Sequence, residues 1–422
     1  MSDTAFIHKH RLSETAFTRS RKLDFKTLIT FLLNHRKGAT QTELDRFFAE
    51  HLDDDTPRRH ITKSACIQAR KHLSHEAFIE LNRHFVDTLY SSKSKALKRW
   101  HGLRVCAVDG SQLRLPREHV LQEKFGCQSA VPDEAKQVMG LASVYYDVLN
   151  QIVLDAQLVE TRESERYCAA EHLALSKNKD LVLYDRGYNA FWLYAYHQEL
   201  GRKFCIRARV DRDNRAREFV GSGKAEAYIT YTPNRTSRRQ CDEMNLSDDP
   251  ITLRLLRVDL PGETEVLITN LVDENRYPVD EFKRLYHLRW GVEEFYKRLK
   301  HHQEVENISG KSVRVVMQDF HAKILAGNFT ASLAIAGHCC LEKTQSKDKP
   351  HYRINLAQAF AKMKQYQVKL WKLTGNSLAN YLHKLILLLC QFKERVLPER
   401  TFPRRVSKFN QRRYWMHYKC TL

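Results

Sequence analysis

Two short segments end an apolar run on a carboxylate: Val105-Cys106-Ala107-Val108-Asp109-Gly110 and Leu181-Val182-Leu183-Tyr184-Asp185-Arg186-Gly187. In each, the apolar residues read as a strand buried on both faces, the acid closes it, and the glycine that follows lets the chain turn sharply. A lone strand-ending Asp commonly only caps a turn, but the carboxyl ends of neighbouring parallel strands are also where open α/β sheets keep their sites. A third segment gathers an acid, two bases and a phenol. On a helix advancing about 100° per residue, Tyr286, Arg289, Glu293 and Lys300 fall within about 60° of one another. Leu285, Leu288, Val292, Phe295 and Leu299 cluster roughly 110° away, so one face docks and its neighbour presents the polar groups. On the helix alone, Arg289 and Glu293 are equally well read as an i,i+4 surface ion pair worth a few tenths of a kcal/mol.

Joined as a set, Asp109, Asp185 and Glu293 suit phosphoryl transfer. Two divalent ions about 4 Å apart can activate the attacking oxygen of a phosphodiester displacement and stabilise the leaving one. Mg²⁺ prefers oxygen ligands, and three carboxylates can hold a pair of such ions, with Mn²⁺ as a substitute. Without cations the three acids would repel one another and some would take up protons, so the cluster calls for metal. No His or Cys arrangement competes: His301 and His302 are adjacent, and their rings diverge on a helix. Trp290, beside Arg289, offers a base a stacking surface worth about 1 to 3 kcal/mol, and core packing explains it equally well.

These residues need a sheet and helices to hold them. From Leu103 the chain turns β in character: a strand over Arg104–Val108, a hairpin of Leu141–Val148 and Ile152–Val159 turning at Asn150, and a helix over Glu165–Leu175. A strand over Leu181–Tyr184, a helix over Phe191–Leu200 and a strand over Phe204–Val210 follow. The order β, β, β, α, β, α, β is that of a ribonuclease H-like mixed sheet, so the fold class expected is α/β. Residues 211 to about 275 read as a β-rich insertion, polar and irregular until strands resume at Ile251–Val258 and Glu265–Asn270. A long helix begins near Asp280, and Phe320–Phe392 is mostly helical. Before residue 100 the pattern is all-α, with helices over Phe25–Leu33, Thr42–His51, Lys63–Leu73 and Glu76–Tyr90 and breakers at Gly38 and Pro57. The expected division is 1–100, an N-terminal helical module; 101–330, the catalytic domain; and 331–422, a C-terminal helical region ending in a basic tail.

Lys and Arg number 70 against 50 Asp and Glu, a net charge of +20, which draws a polyanion over long range. The third predicted helix sets Lys63, Gln68, Arg70 and Lys71 around Ala65, Ile67, Ala69 and Leu73 behind a Thr62 cap, as a helix entering a DNA groove would, or as an ordinary surface helix would. From Gln391 on, nine Lys and Arg face two Glu, a tail suited to clinging to DNA. Ten cysteines without a C-x-x-C pair exclude a zinc ribbon and a disulfide framework. The greasiest run, Leu385–Cys390, is too short to span a bilayer, and residues 1–10 hold no apolar leader, so no membrane partner and a cytoplasmic location are expected.

Tyr286-x2-Arg289-x3-Glu293-x6-Lys300 resembles the Tyr-Arg-Glu-Lys signature of bacterial DDE transposases of insertion-sequence family four. Asp109 in Val-Asp-Gly-Ser, Asp185 in Asp-Arg-Gly-Tyr, the Thr269, Asn270, Leu271 box and the Glu306–Lys311 segment resemble that family's other boxes in the same order, and the likeness spans roughly residues 63–329. The resemblance implies a ribonuclease H-like core with a β-insertion before the last acidic helix. It also implies a metal-dependent cut-and-paste transposase working through a hairpin DNA intermediate, with Tyr286, Arg289 and Lys300 on phosphates and Trp290 on a displaced base. The partners that follow are double-stranded DNA, both terminal inverted repeats and target, and a second copy of the chain, because two element ends must meet. A ribonuclease H-like nuclease or resolvase could use the same acids but has no call for the quartet; a DNA-binding regulator descended from a transposase would not need all three acids.

Overall fold

The structure, a computed structural model, describes residues 1–396 except 20, 37, 57, 93, 129–136, 261 and 345–350. In chain order come helices α1 (Thr4–His10), α2 (Phe25–Leu33), α3 (Thr40–Leu52), α4 (Lys63–Lys71) and α5 (Glu76–Ser91), then β1 (Arg104–Arg114), α6 (His119–Phe125), β2 (Met139–Asp147), β3 (Ile152–Glu160), α7 (Glu165–Ala174), β4 (Asp180–Tyr184), α8 (Phe191–Glu199) and β5 (Lys203–Arg207). There follow α9 (Asn214–Gly221), β6 (Glu226–Tyr231), α10 (Arg235–Glu243), β7 (Ile251–Leu260), β8 (Glu263–Thr269), α11 (Glu281–His287), α12 (Trp290–His301), α13 (Val313–Thr344), β9 (Tyr352–Ile354), α14 (Leu356–Leu370), α15 (Gly375–Gln391) and β10 (Lys393–Arg395). The basic tail from residue 397 on and the Pro57 breaker lie outside the described residues.

The chain forms two compact units: Leu97–Gln112 with Leu141–Tyr296, and Met1–Ala96 with Leu113–Gly140 and Lys297–Leu422. These cut across the three consecutive segments read from the sequence. The first unit is built on an eight-stranded sheet of order β3-β2-β1-β4-β5-β8-β7-β6, an α/β architecture. β1, β4 and β5 run parallel, and β8, β7 and β6 continue the sheet antiparallel. The parallel strands are buried on both faces, with Val105–Val108, Leu181–Tyr184 and Phe204–Ile206 all in the core, as their unbroken apolar runs require. At their amino ends Arg104 stands opposite Asp180 in register and grips it with two hydrogen bonds of 2.8 and 2.7 Å; the Tyr145 hydroxyl donates to the same carboxylate at 2.7 Å and the Lys177 amide at 2.8 Å. A second buried relay joins Asp155, His172 and Ser143 at 2.8 and 3.0 Å.

Segment 211–275 differs from its expected character. Its strands β6, β7 and β8 belong to the main sheet, and its polar stretch holds α9 and α10. Both helices are capped by side chains, Asp213 on the Arg215 amide and Asn234 on the Ser237 amide, but α10 buries only Cys241, so no apolar periodicity announces it.

In the second unit the N-terminal helices and the C-terminal ones share a core: Leu28, Phe47, Phe78 and their neighbours pack with Ala322 and Leu325 of α13 and Val368 of α14. Thr62 caps α4 on the Ala65 amide at 3.2 Å, as expected. The buried face of α4 is Cys66, Arg70 and, just beyond, Leu73, whereas Ile67 is exposed. Val313–Lys343 is long and apolar enough to cross a membrane by length and composition, more so than the short run Leu385–Cys390. Half of its most apolar window is buried inside the protein, and it carries Gln318, Asp319, Lys323 and Asn328 buried and hydrogen-bonded, the pattern of a core helix.

Candidate active site

The register of β1 on β4 sets the site. Ala107 pairs with Leu183, so Asp109 and Asp185, each two residues further along parallel strands, come level at the carboxyl ends. Neither following glycine has the left-handed φ of a sharp turn. β1 continues through Gly110 to Arg114, and at Asp185 the chain turns through a 3₁₀ turn over Arg186–Tyr188 whose first amide the Asp185 carboxylate accepts. Gly110 is small for another reason. A Cβ there would lie 2.7 Å from Oε1 of Glu165, the first residue of α7. Glu165 therefore rests against the backbone directly after Asp109.

The acidic helix is two helices. α11 ends at His287, Leu288 and Arg289 form a turn, and α12 starts at Trp290, so Tyr286, Arg289 and Glu293 do not form one exposed stripe. Tyr286 is 5% exposed and its hydroxyl donates to the Tyr184 carbonyl at 3.1 Å, which fastens α11 to β4 and corrects the expectation of a phosphate contact. Arg289 is buried; its Nη2 donates to Glu293 Oε1 at 2.9 Å, its guanidinium lies 5.3 Å from the Trp290 ring centroid, and its Nε is buried without a partner. The Arg289–Glu293 pair is thus real but buried on the arginine side, unlike the surface pair also open from sequence. Trp290 is 38% exposed. Lys300, later on α12, is half-buried; burial lowers its proton affinity, which Glu306 raises and Arg114 lowers again.

Asp109 is pushed up to about 7, mostly by burial, with Arg289 pulling it down, Glu165 pushing it up, the Gly110 amide at 3.0 Å pulling down and Glu293 pushing up. Glu165 keeps contact with solvent, yet the atoms packed around its carboxyl raise it, as does Asp185, while Tyr188 opposes them. Tyr188 is 1% exposed and its hydroxyl faces Glu165 and Asp109, near enough to Glu165 to favour its charged form but without a hydrogen bond of good geometry. Tyr296, one turn past Glu293, sets its hydroxyl 2.9 Å from the Asp109 carbonyl and 2.8 Å from that of Ala142, tying α12 to β1 and β2.

Among the described residues, no three His, Cys, Asp or Glu side chains converge closely enough to hold an ion as they stand. The donor set nonetheless fits a hard divalent cation. Its donors are carboxylate oxygens, their mutual repulsion and burial hold Asp109 near neutrality, and the cations of the protein offset only part of that charge.

Of the other candidates, Lys63, Gln68 and Lys71 are exposed on α4, whereas Arg70 is 3% exposed and spent on Asp319 at 2.8 Å, Ser309 at 2.6 Å and Gln318 at 2.8 Å. A groove-reading role for Arg70 is overturned: its side chain is enclosed and its bonds are taken. Glu165, Tyr188 and Tyr296 were not singled out from sequence. Glu165 opens the helix between the two hairpin strands and the second acid-bearing strand, but no spacing rule says that it faces Asp109.

A family description, transposase DDE domain, matches residues 100–329. The chain belongs to the DDE transposase family. It is 25% identical over 324 residues to the transposase InsG for insertion sequence element IS4 of Escherichia coli strain K12, covering 75% of this chain and 71% of that one. InsZ of the same strain is 27% identical over 182 residues, 42% of this chain and 59% of that one. These relatives make it a transposase of the bacterial IS4 type, an enzyme of DNA transposition. A structure of the piggyBac transposase synaptic complex with hairpin DNA aligns over 96% of this chain and 83% of that chain at 11% identity, with a TM-score of 0.41.

Proposed function

We propose that this transposase excises and inserts an element by cut-and-paste chemistry on a ribonuclease H-like core, with Asp109, Asp185 and Glu293 as its metal ligands. The observation that carries the reading is the β1–β4 register, which brings Asp109 level with Asp185 where Asp109 already feels the charge of Glu293. Two Mg²⁺ ions held there, or Mn²⁺ in their place, would supply an activated attacking oxygen and a stabilised leaving one. Arg289 and Lys300 hold phosphates of the strand end: the guanidinium has a buried Nε with no partner, and a planar fork grips phosphate in two places. Trp290 presents its exposed ring to a displaced base.

The order of steps in this reading is a nick by water, attack of the freed 3′-OH on the opposite strand to give a hairpin, opening of the hairpin, and joining of the 3′-OH ends to target DNA. Terminal inverted repeats are bound through the N-terminal helices, with Lys63, Gln68 and Lys71 as exposed contacts, and two copies of the chain bring two ends together at the nucleoid of the bacterial cytoplasm. The test is incubation of the protein with end-containing duplex, target DNA and Mg²⁺, resolved on denaturing gels. Nicked, hairpin and joined products appearing in that order support the reading. Cleavage without joining would leave a nuclease, and binding without cleavage a regulator.

A further inference from the structure

The acid set at the end of β1 and β4 contains a carboxylate that the family signature does not name. Glu165 opens α7, and its Oε1 occupies the place a Cβ on residue 110 would need, so it lies against the chain one residue past Asp109. Three bonded neighbours would mark it as structural, as they do Asp180, but Glu165 makes no such set. The hydroxyl aimed at it, that of Tyr188, is buried and near enough to ease the Glu165 carboxyl toward its charged form, yet no bond of good geometry joins them, a costly arrangement for a polar atom unless something completes it. A divalent cation drawn between Asp109 and Glu165 would fix the Glu165 carboxylate and give the Tyr188 hydroxyl an acceptor held still.

Resting on the metal reading above, we infer that Glu165 is a fourth metal-facing carboxylate, sharing a cation with Asp109. Gly110 is the residue that admits it, and Tyr188 orients it. Hard cations of this class take six or more oxygens, and three carboxylates supply few of them without help from water and substrate, so a fourth acid raises affinity before DNA arrives.

The full-length protein without DNA is titrated with Mn²⁺ and followed by water-proton relaxation, with thermal unfolding as a second readout. Glu165→Gln is expected to weaken Mn²⁺ binding by at least about tenfold and to shrink the rise in Tm that Mn²⁺ gives. Gly110→Ala, which drives the carboxylate aside, does the same, and Glu171→Gln, exposed on the same helix, leaves binding as it was. Glu165→Asp keeps the charge but withdraws it by a methylene, and serves if the Gln variant does not fold. Equal Mn²⁺ binding by wild type and Glu165→Gln, with loss in Asp109→Asn, overturns the role of Glu165 and leaves the Asp109 reading standing. If wild type binds no Mn²⁺, or Asp109→Asn binds it like wild type, the shared site and the metal reading fall together.

Discussion

The parallel strands β1 and β4 carry carboxylates at both ends of one register, and the two ends are built in opposite ways. At the amino end Asp180 is 1% exposed and answered by two bonds from Arg104, one from Tyr145 and one from the Lys177 amide. At the carboxyl end Asp109 accepts from the Gly110 amide, faces Glu165 and Glu293, and sits at about 7. The two arginines differ in the same sense: both guanidine arms of Arg104 that reach Asp180 are bonded, whereas Arg289 keeps a buried Nε without a partner. Burial alone does not separate a structural acid from a working one. The partners do: a fully paired buried charge holds the fold, and the poorly paired one is the acid proposed above as a metal ligand.

The sharpest way to break this comparison is at the working end. Asp109→Asn, Asp185→Asn and Glu293→Gln are each expected to slow strand cleavage by on the order of a thousandfold or more, about 4 kcal/mol of barrier, with no loss of thermal stability. Rates on end-containing duplex and melting curves check both halves, and one variant cleaving at the wild-type rate would remove that acid from the ligand set. At the amino end the outcome inverts. Asp180→Ala removes the carboxylate that answers the buried Arg104 guanidinium and should cost about 3 to 5 kcal/mol of folding stability in urea titrations. A change under about 1 kcal/mol would place the two ends in one class.

Titration separates the ends further. Asp109 in the folded chain holds its proton to about 7, while in the unfolded chain it releases it near an ordinary carboxyl value. Between those values the folded state binds more protons, so the metal-free protein should lose stability as pH rises from about 4 to 7, by a few kcal/mol at most. Asp109→Asn removes that slope, and an unchanged slope would show the shift arises elsewhere. The smallest effect is expected at Arg289. Arg289→Ala or Lys300→Ala should slow hairpin formation or opening about ten- to a hundredfold, the loss of a charge-assisted phosphate contact of about 1.5 to 3 kcal/mol, with the first nick less affected. Time courses on a labelled end would reduce both residues to general DNA anchors if every step slowed equally.

Much of the first unit was legible because its strands are apolar runs closed by acids. The hairpin, α7, β4 and α8 lie within a residue or two of where hydrophobic pattern put them. β1 was read too short, since Ser111 and Gln112 break the apolar run although the strand goes on to Arg114. The helix carrying Glu293 was read as unbroken because an apolar stripe at helical spacing continues through Leu288 even though the backbone turns there. Arg70 misled for a related reason: a basic side chain on a polar-looking helix gives no sign that Asp319, some 249 residues away, is waiting for it. Glu165 escaped because convergence in space is set by register and crossover, which a spacing rule within one segment does not contain.

The shared core of the N- and C-terminal helices bears on synthesis. Leu28, Phe47 and Phe78 leave the ribosome early, but the faces that cover them, Ala322, Leu325 and Val368, follow 244 to 340 residues later. At about 5 to 20 residues per second, the nascent helices wait on the order of 15 to 60 s with apolar surface uncovered. A chain interrupted before α13 would therefore release sticky, incomplete helices that cannot stand as a separate DNA-binding fragment, and a translating polysome would carry several of them side by side.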